Sequence, residues 1–487
     1  MTRIRETTPD AIEEILGSAA AACDAWAQTG RDERARVLDA IAKHLDGAAD
    51  ELVGIARGET HLLERQLRGE LQRTTFQLRL FGDVLREGSY LDARIDHSDP
   101  KWPMGAPRPD LRRILEPVGP VVVFAASNFP FAFSVAGGDT AAALAAGCAV
   151  VLKAHPGHPE LSRRTGELVR EAIASASAPA GLFAVIFGVD AGRIALQDPR
   201  IKAGSFTGSI PGGRALFDLA NARPEPIPFY GELGSVNPVF VTREAGATRA
   251  EQIAEQFLAS MTLGSGQFCT KPGVLVVPEQ SAISDTLRRL TLPPPAILLN
   301  DRIQHGYTDV LEELMTHPEV RVLARGDAAL SDPPSPTILT TSIDAVLEKR
   351  DELFRECFGP TALVVSYQHD AQLLDLARAI DGQLTATVFG QGSEEFVPEL
   401  VRLLAKRAGR LLWNQLPTGV SVTYAQQHGG PYPATTSAGT TSVGTASISR
   451  FLRPVAYQGF PQNLLPAELA DDTDPSIPRR VDGRLEI

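Results

Sequence analysis

Sulfur is scarce in this chain. Four cysteines, at positions 23, 148, 269 and 357, are spread over 487 residues, with no CxxC and no Cys/His pair at the spacing of a zinc site. This scarcity excludes a disulfide framework and leaves free thiols. Clustered lysine and arginine are missing as well, and the formal net charge is −12, which argues against nucleic acid or an anionic membrane surface as partner. A small soluble ligand is the expected partner. No apolar run approaches the roughly 20 residues of a membrane-spanning helix. The opening "MTRIRETTPDAIEEILGSAAAACDAW" is acidic and amphipathic rather than basic and then apolar, so the expected location is the cytoplasm. No short-period repeat or low-complexity segment occurs, and no strand is followed by a GxGxxG dinucleotide fingerprint.

What remains is an ordinary globular composition, 43% hydrophobic and 22% charged, on a chain long enough for two or three domains. The spacing in "RARVLDAIAKHLDGAADELVGIA" predicts two or three amphipathic helices between residue 9 and about residue 90. "DHSDPKWPMGAPRPDLRRILEP" then interrupts with five prolines and reads as an arm or loop. From residue 118, β-branched runs such as "PVVVFAAS", "AVVLKAH", "LFAVIFG" and "IKAGSFTG" alternate with helical stretches. Buried strands joined by crossover helices make a parallel α/β sheet, whose ligands sit at the carboxyl ends of its strands. A second set follows from about residue 273 to 415, including "GVLVVP", "TALVVSYQ" and "TATVFGQ", so two α/β lobes are expected. The tail "SVGTASISRFLRPVAYQGFPQNLLP" lies outside this rhythm and fits packing against the arm, contact with another subunit, or a plain surface strand.

Cys23 and Cys148 lie in alanine-rich, apolar surroundings and read as small core residues. Cys269, in "GSGQFCTKPG", has the neighbours of a loop. "FTGSIPGGRALF" runs from a strand into Gly208 and Ser209 and then into a helix with Gly212 and Gly213, a place where backbone N–H groups can meet a pyrophosphate; a tight turn is the plainer alternative. Lys153 in "VLKAHP" can reach a ribose or phosphate, or simply sit solvated at a strand end.

Taken in order, "ASNFPFAFS", "VLKAHP", "FTGS", "GELGSVNP", "GQFCTKPG" and "ECFGP" resemble the aldehyde dehydrogenase superfamily over essentially the whole chain. "FYGELGSVNP", "GQFCTKPG" and "HGGPYPATT" resemble in particular its α-ketoglutaric semialdehyde (2,5-dioxopentanoate) branch and related NADP-linked fatty-aldehyde dehydrogenases. The resemblance implies a cofactor domain over 1–95 and 117–231, a catalytic domain over 232–437, a small β oligomerisation arm over 96–116 and 438–465, and a tail over 466–487. It implies a homodimer or homotetramer and no metal.

The resemblance also implies roles. Cys269 would attack the carbonyl, Glu232 would swing between activating the thiol and activating water, and Asn128 would help hold the oxyanion. Gly208 and Ser209 would line the cofactor, Glu356 would contact the nicotinamide ribose with Phe358 packing nearby, and Cys357 between them would be structural. Lys153, His155 and Arg193 would lie towards the adenosine. Much of the superfamily carries a glutamate three residues after that lysine; here the position is Pro156, so NADP is expected with NAD possible. Phe129, Phe133 and Phe268, with the loop "TGVSVTYAQQHGGPYP", would wall the substrate tunnel. Arg112, Arg450 and Arg453 are candidates for a distant substrate carboxylate, or else surface and interface residues. The implied reaction is oxidation of 2,5-dioxopentanoate to 2-oxoglutarate. A fatty-aldehyde dehydrogenase, a CoA-acylating relative and a non-catalytic dinucleotide-binding protein are the alternatives.

Overall fold

The computed structural model describes residues 4–417, 419–471 and 477–486. Four helices open the chain, Pro9–Ala27, Arg31–Gly47, Ala49–Thr60 and Glu64–Glu87, where the periodicity predicts two or three. The extra breaks are local. Gly30 caps the second helix, and His61 ends the third in the left-handed region at φ 58°. The fourth and longest helix buries Leu67, Leu71, Leu78 and Phe81, but the same side also takes in Glu70, Thr74 and Gln77. Among the described residues no helix is long and apolar enough to cross a membrane.

The first lobe is a five-stranded sheet with every pairing parallel, in the order Phe183–Ile186, Val150–Lys153, Val121–Phe124, Ala203–Thr207, Phe229–Glu232. Its strands are short apolar runs because helices cover both faces. Strand order reverses between Val121–Phe124 and Ala203–Thr207, which opens a crevice at their carboxyl ends. Asn128 follows the first of these strands, and Gly208 and Ser209 follow the second.

The second lobe is a seven-stranded sheet, parallel except for its edge strand Arg321–Arg325. Its working edge differs from expectation. Cys269 precedes the strand Val274–Pro278, and Glu356 precedes Thr361–Tyr367, so this lobe offers the amino ends of its strands to the carboxyl ends of the first.

A third sheet joins Leu452–Gln458, Leu111–Pro117, Ala93–Asp96, Arg479–Val481 and Arg484–Glu486. The middle of the late apolar segment thus pairs with the end of the proline-rich segment, Leu452 opposite Pro117 through Gln458 opposite Leu111. Two boundaries change as a result. Residues 479–486, read from sequence as part of a tail, supply two strands of this sheet, and Ala93–Asp96 begins inside the stretch assigned to the cofactor domain.

Candidate active site

The cysteine loop is held by close backbone approaches. Gly264 and Gly266 have positive φ, and a Cβ on Gly266 would collide with the carbonyl of Gly359, so the loop lies directly on the segment that follows Glu356. Asn237, itself at φ 52°, donates its amide to the carbonyls of Cys269 (2.8 Å) and Lys271 (3.0 Å) and accepts from Ser235 and Thr385. The Lys271 ammonium reaches the carbonyls of Cys357 (2.7 Å) and Thr361 (2.8 Å). The loop is thereby fastened to the amino edge of the second sheet.

Glu232 ends the last strand of the first sheet and is 1% exposed. The segment carrying "HGGPYPATT" wraps this strand: Thr435 bridges Glu232, and Gly231 donates to the Thr436 hydroxyl at 2.8 Å. That wrap delivers His428, fully buried, with Nε2 2.8 Å from Glu232 Oε1 and 3.4 Å from Cys269 Sγ. The hydroxyl of Ser442 donates to the other Glu232 oxygen and lies 3.0 Å from the His428 carbonyl. A pinned carboxylate thus stands where the sequence suggests a freely swinging one.

Burial pushes the Cys269 thiol well above its usual range, and the negative charge and hydrogen bonding of Glu232 and the charge of Glu356 push it further, with Arg410 opposing. Burial alone would raise Glu232 too. The facing imidazole and the hydrogen bonds from His428 and Ser442 outweigh it and hold the carboxyl below its ordinary range. The resting proton therefore sits on sulfur, with an ionised acceptor beside it.

Glu232, Cys269 and His428 also form the one group among the described residues with the donors of a metal site. The 2.8 Å separation of Nε2 and Oε1 is a hydrogen-bond length, which puts a hydrogen on the nitrogen that would have to bind an ion. His428 Nδ1 is buried without a partner, so a second ring hydrogen there would go unsatisfied. Nε2 is therefore a ring nitrogen that carries a hydrogen, directed at Glu232.

Asn128, 9% exposed, donates Nδ2 to the Gln267 carbonyl at 3.0 Å, two residues before Cys269. An amide carries two N–H groups, which leaves one for an oxyanion. Beyond it lies a cavity of about 330 Å³ lined by Phe129, Phe133, Phe268, Cys269, Glu70 and Arg73. The rings pack on one another, with centroids 5.4 Å apart for Phe129 and Phe133 and 5.0 Å for Phe129 and Phe268.

On the opposite side the residues suit a dinucleotide. Ser209 caps the helix Ile210–Asn221, accepting from Gly212 N at 3.3 Å, and Gly208 and Ser209 are exposed at its start. Gly208 donates to the Glu232 carbonyl at 3.0 Å, tying this helix start to the strand end that carries Glu232. A Cβ at Gly234 would strike the Glu356 carboxylate, which burial raises to about 7 against the pull of Lys271 and the Ser235 N–H. Phe358 is half-buried nearby, and Cys357 is buried with its thiol pushed up to about 11. Farther out, burial and the charge of Arg302 lower Lys153, and burial leads the same shift at His155, whose Nδ1 accepts from Gly157 N at 3.0 Å. Arg193 is 59% exposed and 3.8 Å from Asp190, and Gly192 beside it packs against Lys153.

Two of the arginines offered for a distant carboxylate are already committed. Arg112 pairs with Asp110 and Asp471, and Arg450 with Asp139 at 3.0 Å. Arg453 lies on the arm strand with Glu116 as its facing charge. Sequence reasoning missed His428, Ser442, Arg302 and Arg73; the lone histidine in the branch-like motif "HGGPYPATT" and the helical spacing of Arg73 with the buried side of its helix were the signals available.

The aldehyde dehydrogenase family model matches residues 1–292. The chain is 42% identical to an α-ketoglutaric semialdehyde dehydrogenase of Acinetobacter baylyi, over 99% of this chain and 92% of the relative. It is 41% identical to α-ketoglutaric semialdehyde dehydrogenase 2 of Azospirillum brasilense, over 98% and 92%. Among solved structures, an NAD-dependent aldehyde dehydrogenase from Sinorhizobium meliloti superposes with a TM-score of 0.76 at 23% identity, over 94% of this chain and 88% of that one. A 3,6-anhydro-L-galactose dehydrogenase gives 0.78 at 21%, over 93% and 92%.

Proposed function

Because the chain belongs to the aldehyde dehydrogenase family, we propose that it oxidises 2,5-dioxopentanoate to 2-oxoglutarate through a thioester on Cys269. The observation that carries this reading is the contact of Cys269, His428 and Glu232 between an aromatic cavity and a dinucleotide-like cleft. The two relatives at 42% and 41% identity, both named for α-ketoglutaric semialdehyde, supply the substrate.

Chemistry starts from a protonated thiol. As an aldehyde carbonyl reaches Sγ, the thiol proton passes to Glu232 and the His428 N–H turns from carboxylate to sulfur. The nucleophile forms only when its target is present. The free Asn128 N–H meets the oxyanion of the hemithioacetal. A nicotinamide dinucleotide held along Gly208, Ser209 and Glu356 would supply the hydride acceptor for this carbon, which leaves the acyl group on Cys269 as a thioester. Glu232 first releases the proton it took from the thiol to bulk water and, ionised again, takes one from the attacking water as the hydroxyl adds to the acyl carbon; sulfur then departs and recovers that proton from Glu232 to regenerate the thiol. Whenever Glu232 is protonated, Ser442 can turn its own hydrogen to the His428 carbonyl, which it already approaches at 3.0 Å. Those roles for Cys269, Glu232 and Asn128 are the ones the family resemblance implies; His428 and Ser442 are added from the geometry.

The cofactor would lie along Gly208 and Ser209 with Glu356 and Phe358 at its nicotinamide end and Lys153 and His155 towards the adenosine. NADP is the preferred form. Pro156 supplies no carboxylate at the position where much of the superfamily carries one, and Arg302 adds its charge to Lys153 against the opposite charge of Glu6. The arm exposes Trp102, Met104, Phe460 and Leu464, which supports a homodimer or homotetramer. The test is initial rates on 2,5-dioxopentanoate, succinic semialdehyde and a long-chain aldehyde with each cofactor. Highest kcat/KM for the five-carbon oxo acid with NADP is expected; preference for the long aliphatic aldehyde would overturn the substrate assignment.

A further inference from the structure

We propose that Arg73 is the specificity-determining residue that binds the remote carboxylate of the substrate. It lies on the helix Glu64–Glu87 and lines the same cavity as Cys269. Its Nε donates to the Val420 carbonyl at 3.1 Å, and its guanidinium carbon stands 5.4 Å from the centroid of the Phe133 ring, so the group is fixed in place. Both terminal nitrogens are buried and have no hydrogen-bond partner among the described residues. A guanidinium stays charged in any protein interior, and buried donors of this kind are almost always satisfied. Two parallel N–H donors on a fixed planar fork are the complement of a carboxylate.

The nearest acid does not consume this fork. Glu70, one helical turn earlier, accepts the backbone N–H groups of Phe131 (2.7 Å) and Ala132 (2.9 Å) on one oxygen, and its other oxygen is likewise unpartnered. Glu70 and Arg73 line one cavity without forming an ion pair among the described residues. Burial raises the Glu70 carboxyl to about 7, which weakens its hold on the cation. Glu232 and Cys269 are the other titratable groups that face Arg73, at the reacting end of the same space. An aldehyde at Sγ with a carboxylate at Arg73 would have its chain against Phe129, Phe133 and Phe268. Arg410 also has unpartnered nitrogens and faces Cys269, but it does not line this cavity.

The inference rests on the oxo-acid reading, and the experiment separates the two. kcat/KM is measured for 2,5-dioxopentanoate and for pentanal, a neutral aldehyde of equal chain length, in the wild type, Arg73→Gln, Arg73→Lys and Arg410→Gln. The ratio between the substrates should fall about 100-fold in Arg73→Gln, mostly through KM for the oxo acid, with an intermediate fall in Arg73→Lys, which keeps the charge but loses the fork. Glutarate, a dead-end dicarboxylate, should raise the melting temperature of the wild type and lose that effect in Arg73→Gln. An unchanged ratio in a folded Arg73→Gln, a parallel loss on both aldehydes, or a ratio that collapses in Arg410→Gln instead would overturn the assignment while leaving the oxo-acid reading standing. A wild type that does not favour the oxo acid over pentanal would remove both. If Arg73→Gln does not fold, Arg73→Lys decides by the same ratio and by glutarate.

Discussion

The two sides of Cys269 are built differently. Towards the cofactor cleft the chain presents a helix start at Gly208 and Ser209, exposed and made within a few consecutive residues. Towards the cavity it presents Phe129, Phe268, Arg73 and the 419–421 loop, drawn from four distant stretches. The first side is local backbone geometry; the second exists only after tertiary packing. Function follows the same division, since a shared cofactor needs a standard cradle whereas each aldehyde needs its own wall.

Substitutions can break or sharpen this contrast. The largest effect is expected for Glu232→Gln, which sits between the two sides and should lower kcat by about 10²- to 10⁴-fold, the range of a lost general base. Stopped-flow traces should still show a burst of reduced cofactor if water activation suffers more than thiol activation. Loss of cofactor binding instead would assign Glu232 to the cleft.

His428→Gln keeps a side-chain donor but loses the ring that lies 2.8 Å from Glu232 and 3.4 Å from Sγ. A drop of about 10- to 100-fold in the acylation rate is expected, with Kd for the cofactor unchanged; iodoacetamide labelling of Cys269 should slow in parallel. An acylation rate equal to wild type would make the histidine a packing residue.

A smaller effect tests the cleft alone. Glu356 titrates near pH 7, so its carboxylate is ionised above that pH and loses its charge below it. As an acceptor for ribose hydroxyls it should bind NAD more weakly in acid, with KM for NAD rising by roughly three- to tenfold from pH 8 to 6. Glu356→Gln should flatten that profile. A matching rise in the aldehyde KM would blur the division between the two sides.

How much of this was legible in the sequence follows from the same contrast. Cys269 and Asn128 sit in loops rich in glycine or proline, and Glu232 ends a strand that runs into one, so short motifs carry the geometry. Both lobes were visible because their strands are buried runs of β-branched residues. The edge the second lobe offers was not, because which end of a strand meets its neighbour is a matter of docking rather than periodicity. Arg73 and Glu70 were hidden inside a helix whose many charges look solvated; their spacing with Thr74 and Gln77 on the side that buries Leu67 and Leu71 is the signal that was there to be read. Arg112 and Arg450 failed for the opposite reason. Their partners, Asp471 and Asp139, come from remote segments, and nothing local marks an arginine as already paired.

The central claim is that Cys269 carries the substrate as an acyl group during turnover. Mass spectrometry of enzyme quenched in acid during the first turnover with 2,5-dioxopentanoate and NADP should find the acyl mass on the peptide containing Cys269, and none in Cys269→Ala. Steady formation of NADPH with that peptide unmodified at every quench time, or with the acyl group on Cys357, would contradict it.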